Sequence, residues 1–254
     1  MNVLVTGGGT IAPIDEVRYI ANASTGAFSA AITEACLGLG ASVWHLHTAQ
    51  AQKPLLRQMA VTPSPADLDA GFILTEEYLE TFFHLLDLWR THRRQLHLVE
   101  LDEGTVAEYA MVLEMLARSN PFDIIFLAMA VSDYAPTPVA GKVESSDQDW
   151  TLTLKPVPKI ITKVRDWCPR AYLVGFKMMT GVEPEHLIST AERACHANRA
   201  DATVANDLSL YRGGKHTVHL VRPGHPAETF GPDPTMAELL VMRVLELADQ
   251  KRNI

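Results

Sequence analysis

Short apolar runs that alternate with longer helical segments constrain the fold of this chain more than any other feature. Residues 2–6 (NVLVT) and 122–130 (FDIIFLAMA) form apolar runs, and helical spacing of apolar residues follows at 26–40 and 105–119. A run as apolar as 122–130 is typical of a strand buried on both faces of a parallel sheet. Alternating strands and helices therefore predict a three-layer α/β fold with a mainly parallel sheet.

The remaining runs extend this alternation along the chain. Further strands are predicted at 42–47, 96–101, 150–155, 171–176 and 200–206, further helices at 76–94, 159–167, 184–197 and 235–251, and a long loop at 50–75. Apolar residues on both sides of Pro223-Gly224 predict a C-terminal β-hairpin. Because no repeat, low-complexity tract or linker divides the chain, we predict one domain over residues 1–254.

Charge and cysteine content exclude several classes of protein. The chain has 22 basic and 30 acidic residues, a formal net charge of −8, and no cluster of lysines or arginines. Nucleic acids and anionic membranes select clustered cations, so neither is a predicted partner. No apolar run approaches the roughly 20 residues of a membrane helix, and no signal peptide is recognisable. Three scattered cysteines without a CxxC pair favour a reducing compartment, and we expect a cytoplasmic protein.

Four of the predicted strands end in glycines, small residues or short polar residues. These strand ends are TGGGT (6–10), LAMAVSDYAP (127–136), VGFKMMTG (174–181) and VANDLS (204–209). In open α/β sheets, ligands bind beyond the carboxyl ends of the strands. The four ends therefore predict one shared binding crevice. The glycine loop matches neither GxGxxG nor the P-loop pattern, so it does not identify the ligand by itself.

Each candidate residue also has a structural interpretation. Ser24 or Thr25 is predicted to cap the helix that begins near 26, which leaves Asn22 available for a ligand. Asp133 forms either an Asx-turn or a contact to a ribose or amine. Phe176 either packs in the core or stacks on a base, and Lys142 is either solvated or close to a phosphate.

Three further observations concern residues outside this set. His45 and His47 share one face of a strand, but no third ligand is evident, so no metal ligands are assigned. Asn206 ends its strand next to Asp207, where a turn would also explain both residues. Cys36 lies within a helix and is expected to be packed rather than reactive.

Five segments, taken in order, resemble phosphopantothenoylcysteine synthetase (phosphopantothenate–cysteine ligase). They are VLVTGGGTIAPIDEVRYIANASTG, LAMAVSDYAP, GKVES, LKPVPKIITKVRDWCPRAYLVGFKMMTG and ATVAND, between residue 3 and about 207. The resemblance implies a Rossmann-like fold, a homodimer and a requirement for Mg²⁺. It also implies activation of 4′-phosphopantothenate by a nucleoside triphosphate to an acyl nucleotidylate, which cysteine then attacks. Val157-Pro158-Lys159 resembles the eukaryotic version and favours ATP, with CTP left open, and the chain resembles the stand-alone form.

The resemblance assigns roles to individual residues. Asn22 would contact the acyl nucleotidylate, and Lys142 would be a lid cation; these are the two catalytic candidates. The nucleotide- and substrate-binding candidates are Gly8, Gly9, Ser24, Thr25, Gly26, Ala130, Asp133, Phe176 and Asn206.

The chain also departs from the family pattern. Ser29 stands where relatives often have glycine, and Glu144 stands where bacterial relatives have lysine. The roles of Arg18 and Arg193 remain open. These departures leave a non-catalytic nucleotide-binding homologue as a rival function. A Rossmann-like NAD(P)-dependent oxidoreductase is the other rival, and the missing GxGxxG pattern counts against it.

Overall fold

The computed structural model describes residues 1–57, 69, 76–144, 149–212 and 216–253. The strands in this part of the chain are β1 (Asn2–Gly7), β2 (Ile11–Pro13), β3 (Tyr19–Ala21), β4 (Ser42–Thr48), β5 (Leu96–Leu101), β6 (Ile124–Leu127), β7 (Tyr134–Pro136), β8 (Leu154–Pro156), β9 (Tyr172–Met179), β10 (Ala202–Asp207), β11 (Val218–Val221) and β12 (Glu228–Phe230). The helices are α1 (Ala27–Gly38), α2 (Glu76–His92), α3 (Val106–Ser119), α4 (Ile161–Trp167), α5 (Pro184–Asn198), α6 (Leu208–Arg212) and α7 (Met236–Arg252).

The central sheet has the strand order β12-β11-β10-β9-β6-β1-β4-β5. The six strands from β10 to β5 are parallel, and β11 and β12 add an antiparallel hairpin at the β10 edge. The predicted α/β class, the mainly parallel sheet and the C-terminal hairpin are confirmed. All four residues of β6 are buried, which agrees with its nearly continuous apolar sequence.

Helices cover both faces of the sheet and form two main apolar clusters. Side chains of α1, α2 and α7 pack on one face around Val5, Phe126 and Val204. Side chains of α3 and α4 pack on the other face around Leu4, Ile125 and Leu173. Alternate residues of one strand thus serve opposite layers, as the pleat of a strand requires. This double burial holds the carboxyl ends of the parallel strands in a fixed arrangement.

The structure also corrects the predicted elements. Residues 150–153 are not a strand, and β8 pairs with β7 in a separate two-stranded sheet rather than in the central one. A second small sheet, β2 with β3, was not predicted, and neither was α6. The predicted strand 122–130 is shorter, because residues 128–130 already belong to the loop that follows β6. Most of the predicted loop 50–75 lies outside the described residues.

No helix in the described part of the chain combines the length and the apolar character that a membrane span requires.

Candidate functional site

The candidate site lies where the strand order reverses, between β1 and β6. The chain continues from β1 to β4 and β5 on one side, and from β6 to β9 and β10 on the other. Such a switch point opens a crevice beyond the carboxyl ends of the strands. The loops after β1 and β6 are joined there by backbone hydrogen bonds: Ala130 N donates to Gly8 O over 2.9 Å, and Thr10 N donates to Ala130 O over 3.0 Å.

A cavity of about 310 Å³ opens beside these loops. The segment 23–29 forms one wall, residues 128–131 after β6 form the floor, and the ends of β9 and β10 form the opposite wall. Of the binding residues predicted from the sequence, six line this cavity: Ser24, Thr25, Gly26, Ala130, Phe176 and Asn206. Residues that are far apart in sequence therefore meet at one place.

The start of α1 differs from its prediction. The N-cap residue is Gly26, which has a φ of 72° and makes no side-chain capping bond, so neither Ser24 nor Thr25 caps the helix. Thr25 Oγ1 accepts only a long 3.4 Å hydrogen bond from Ala27 N. A side-chain cap needs an extended residue directly before the first turn, and the left-handed glycine removes that geometry. Because the first turn lines the cavity, its backbone N–H groups suit an anion there.

Asn22 bridges the loops rather than lining the cavity. Its Nδ2 donates to Ala130 O over 2.9 Å and to Ser132 Oγ over 3.3 Å. Gly9 packs against the Asn22 backbone, where a Cβ on Gly9 would lie 2.4 Å from the Asn22 carbonyl oxygen. Gly8 is buried against Thr48 and Ala51. The glycines therefore permit segment 22–26 to approach the end of β1 closely.

Phe176 fits both interpretations considered from the sequence. Its ring makes an edge contact with Phe28, at a centroid distance of 6.2 Å, and it packs against the apolar cluster on that face. The same ring lines the cavity together with Asn206.

Asp207, next to Asn206, accepts hydrogen bonds from Gly181 N, Val182 N and Ser209. These hydrogen bonds hold the pKa of the Asp207 carboxyl well below its usual range, and the bond from the Ser209 side chain has the largest effect.

Two predicted residues lie outside the wall of the cavity. The Asp133 side chain is exposed, with Oδ1 3.8 Å from Lys159 Nζ. Lys142 is also exposed, and within the described residues its side chain has no hydrogen-bond or ion-pair partner. It lies on a segment that is hydrogen-bonded to residues 14–18, where Arg18 forms an ion pair with Asp15. Arg193 is exposed on α5, and its guanidinium donates to Thr190 Oγ1.

Among the lining residues that were not singled out from the sequence, three carry polar side chains: Lys177, Tyr211 and His216. Lys177 lies between Phe176 and Met178 at the end of β9, so its strand-end position was an available signal. His216 packs edge-on against Phe28 and Tyr211, and its buried Nε2 has no hydrogen-bond partner among the described residues. Burial lowers the pKa of His216, so the neutral imidazole is the form present near pH 7.

The polar residues below the glycine loop have structural partners. Ser29 is buried and donates to Gly26 O over 2.7 Å, which fixes the turn that begins α1. His45 Nδ1 lies 2.8 Å from Thr33 Oγ1, and burial lowers the pKa of His45 to about 3. Within the described residues, no group of three histidine, cysteine, aspartate or glutamate side chains has the arrangement of a metal site. Cys36 is buried, which raises its pKa to about 12 and agrees with the packed role predicted for it.

Comparison with protein families gives one match that spans most of the chain. Residues 1–65 and 95–235 match the DNA/pantothenate metabolism flavoprotein C-terminal domain. The phosphopantothenate–cysteine ligase of Homo sapiens is 30% identical over 226 residues, which cover 81% of this chain and 72% of the human protein. Phosphopantothenate–cysteine ligase 2 of Oryza sativa is 33% identical over 231 residues, 83% of this chain and 69% of the rice protein.

A bifunctional relative and two solved structures extend the comparison. The coenzyme A biosynthesis bifunctional protein CoaBC of Thermococcus kodakarensis is 32% identical over 219 residues, which are 86% of this chain. The aligned region spans only 44% of the length of that bifunctional protein. A Cab2 mutant in complex with phosphopantothenate-cysteine has the same fold, with a TM-score of 0.84 and 24% identity over 99% of this chain and 87% of that chain. The DNA/pantothenate metabolism flavoprotein from Streptococcus pneumoniae has a TM-score of 0.73 and 26% identity over 98% of this chain and 99% of that chain.

Proposed function

This chain belongs to the phosphopantothenate–cysteine ligase family, and on that premise we propose that it joins 4′-phosphopantothenate to cysteine in coenzyme A biosynthesis. The observation that carries this proposal is the cavity beyond β6, β9 and β10. Six of the residues that were selected from the sequence for nucleotide or substrate binding line this one cavity. A nucleoside triphosphate is the proposed co-substrate. The family assignment supports a ligase over the oxidoreductase alternative.

The proposed reaction has two steps. The carboxylate of 4′-phosphopantothenate attacks the α-phosphorus of the nucleotide, and the bond to the β-phosphate breaks with release of pyrophosphate. The cysteine amine then attacks the acyl carbon, the amide bond forms, and the acyl–phosphate bond breaks to release the nucleoside monophosphate. The amine loses one proton in the second step. Negative charge therefore builds up on the phosphates first and on the acyl oxygen later.

The residues of the cavity suit these requirements. Backbone N–H groups in the first turn of α1 and the Lys177 ammonium offer donors and positive charge to phosphate oxygens. We propose that Phe176 contacts the base and that Asn206 contacts the ribose or the acyl group. Asn22 lies behind this lining, where its Nδ2 holds the Ala130 loop, and we propose that it orients the acyl nucleotidylate for the amine through that loop.

His216 is the proposed proton acceptor in the cysteine step. Its ring lines the cavity, and burial keeps the imidazole neutral near neutral pH. A neutral imidazole accepts a proton from an attacking amine without first losing one of its own.

Mg²⁺ is proposed to enter with the nucleotide rather than to occupy a protein site. The described residues offer no three-ligand cluster, whereas nucleotide phosphates are common Mg²⁺ ligands in phosphoryl-transfer sites. Lys142 is then the proposed second source of positive charge near the phosphates. Val157-Pro158-Lys159 supports ATP as the nucleotide, and CTP is the alternative. A location in the cytoplasm is our expectation for this enzyme.

A homodimer is proposed through the two small sheets. Sheets β2-β3 and β7-β8 lie next to each other, and each has an edge without a strand partner among the described residues. Tyr19 and Ile20 of β3 and Tyr134 of β7 are exposed, with Tyr134 58% accessible. Two-stranded sheets are marginal alone, and exposed apolar residues on them favour burial against a second copy.

Pyrophosphate release tests the proposed function directly. The purified chain is incubated with 4′-phosphopantothenate and Mg²⁺, with ATP or CTP, and with or without cysteine. We expect pyrophosphate release that depends on phosphopantothenate, and formation of the amide product only when cysteine is present. No release with either nucleotide would contradict the proposal. Nucleotide binding without turnover would instead support the non-catalytic homologue.

A further inference from the structure

The segment that carries Lys142 is hydrogen-bonded to the turn at residues 14–18. Val139 N donates to Ile14 O over 3.0 Å, and Glu16 N donates to Gly141 O over 3.2 Å. Gly141 N donates to Glu16 Oε1 over 3.0 Å. The Lys142 backbone is therefore held from one side, while its side chain remains exposed.

Asp15 and Arg18 close this arrangement next to Lys142. Val143 N donates to Asp15 Oδ2 over 3.2 Å, and Arg18 Nη2 donates to Val143 O over 2.7 Å. Arg18 Nε also donates to Asp15 Oδ2 over 2.9 Å. Asp15 and Arg18 thus bind both backbone groups of the residue that follows Lys142.

The same pair has several further contacts and lies close to Asn22 along the chain. Asp15 Oδ1 accepts from Val17 N and Arg18 N, and the Asp15 residue is only 6% exposed. The Arg18 guanidinium lies 4.4 Å from the centre of the Trp150 ring, which restricts it further. Hydrogen bonds hold the pKa of Asp15 well below its usual range, and the bond from the Arg18 guanidinium has the largest effect. The carboxylate therefore stays charged. Strand β3 begins directly after Arg18 and leads to Asn22.

We propose that Asp15 and Arg18 form a clamp whose function is to position Lys142 for the activation step. Arg18 is then a positioning residue that acts through Lys142, rather than a contact to the substrate. The clamp joins the Lys142 segment to strand β3, which is followed directly by Asn22, so both catalytic candidates share one support. This inference rests on the proposed ligase function for the role of Lys142.

A double-mutant cycle tests the clamp. Pyrophosphate release is measured for the wild type, Arg18→Gln, Lys142→Ala and the double variant, with saturating and with limiting phosphopantothenate. We expect Arg18→Gln to lower kcat about 10- to 100-fold, because a displaced charge loses most of its effect. The KM for phosphopantothenate should change less than about twofold. In the Lys142→Ala background, Arg18→Gln should have little further effect, because the two residues act as one unit.

Hydrogen exchange provides a second readout that does not depend on activity. The Val143 amide, and with it the Gly141 amide, should exchange faster in Arg18→Gln than in the wild type. Glu16→Ala, which removes only the exposed bond to Gly141, should give a smaller change in the same direction. Arg118→Gln is the matched control, because Arg118 pairs with Glu114 on the surface of α3, away from the cavity. This control should leave exchange and activity unchanged.

Four outcomes would overturn the clamp. Arg18→Gln could slow the reaction equally with and without Lys142, it could raise the KM alone, it could leave activity unchanged, or it could leave the exchange of 139–143 unchanged. The first two would assign Arg18 a direct substrate contact. A wild type that releases no pyrophosphate would contradict the proposed function separately, and the exchange experiment would still decide whether the clamp holds this segment.

Discussion

At the scale of single residues, Asn22 combines a structural hydrogen bond to Ala130 O with a proposed role in orienting the acyl nucleotidylate. We expect Asn22→Asp to slow the cysteine step more than activation. The donor to Ala130 O is lost, and a negative charge is added next to that carbonyl oxygen in the loop that lines the cavity. Single-turnover measurements of pyrophosphate release and of amide formation separate the two steps. Asn120→Asp is the matched control, because Asn120 Nδ2 also donates to a backbone oxygen, that of Leu116 at the end of α3. Equal losses in both steps would contradict this role for Asn22.

His216 leads to a prediction about pH. As the pH falls through the lowered pKa of His216, the ring becomes protonated and cannot accept the proton of the amine. The cysteine step should therefore slow at acidic pH, and His216→Gln should slow it at every pH and remove this acidic limb. His219→Gln is a suitable control, since burial lowers the pKa of His219 as well, but His219 does not line the cavity. An unchanged pH profile in His216→Gln would exclude His216 as the acceptor.

Single-residue predictions from the sequence were limited by side-chain direction. Phe176 and Asn206 could be selected because strand ends converge in a parallel sheet. Whether Ser24 or Thr25 caps α1 depended instead on the left-handed backbone of Gly26, which lies beside Gly8 and Ala51. The placement of His216 beside Phe28 requires a contact between residues 188 positions apart, which no local pattern contains.

At the scale of secondary-structure elements, the start of α1 is sensitive to substitution at Gly26. A Cβ on Gly26 would lie 3.0 Å from Ala51 Cβ and 3.3 Å from Gly8 N, at a φ of +72°. We expect Gly26→Ala to cost about 1–2 kcal/mol for the left-handed backbone, and about 1–3 kcal/mol more for the crowding. Gly40→Ala is the control, because Gly40 has a φ of +80° with no atom within 4 Å of its Cβ position. Urea unfolding measures both variants, and equal losses would show that crowding at Gly26 has no effect.

The elements that the sequence predicted are those with a long hydrophobic period. Helices α3, α5 and α7 and the parallel strands of the central sheet each show a pattern over several residues, and their predicted positions agree with the structure within a few residues. Strands β2, β3, β7 and β8 have three residues each, and β2, β7 and β8 include proline. Three residues are too few to show a period, and proline usually argues against a strand. These small sheets depend on packing between distant segments.

At the scale of the whole molecule, the proposed homodimer predicts an effect of the small sheets on assembly. A charge at the exposed Tyr134, in Tyr134→Asp, should convert the dimer to a monomer, because an aspartate buried in an apolar interface is strongly disfavoured. Light scattering after size-exclusion chromatography measures the mass. Met111→Asp on the exposed face of α3 is the control and should leave the dimer intact. A wild type that is monomeric at micromolar concentration would contradict the proposed homodimer.

A separate expectation concerns domain organisation: that residues 1–254 form one domain stays a prediction.

The sequence by itself determined the α/β class, the parallel sheet, the C-terminal hairpin and the edge of the sheet where the cavity lies. These properties follow from local periodicity and from the rule that the carboxyl ends of parallel strands share one edge. Only the tertiary structure decided that Gly26 replaces a side-chain cap, that His216 lines the cavity, and that Arg18 holds the Lys142 segment. Each of these depends on contacts between distant segments, and the free energy of such contacts is absent from the local pattern of residues.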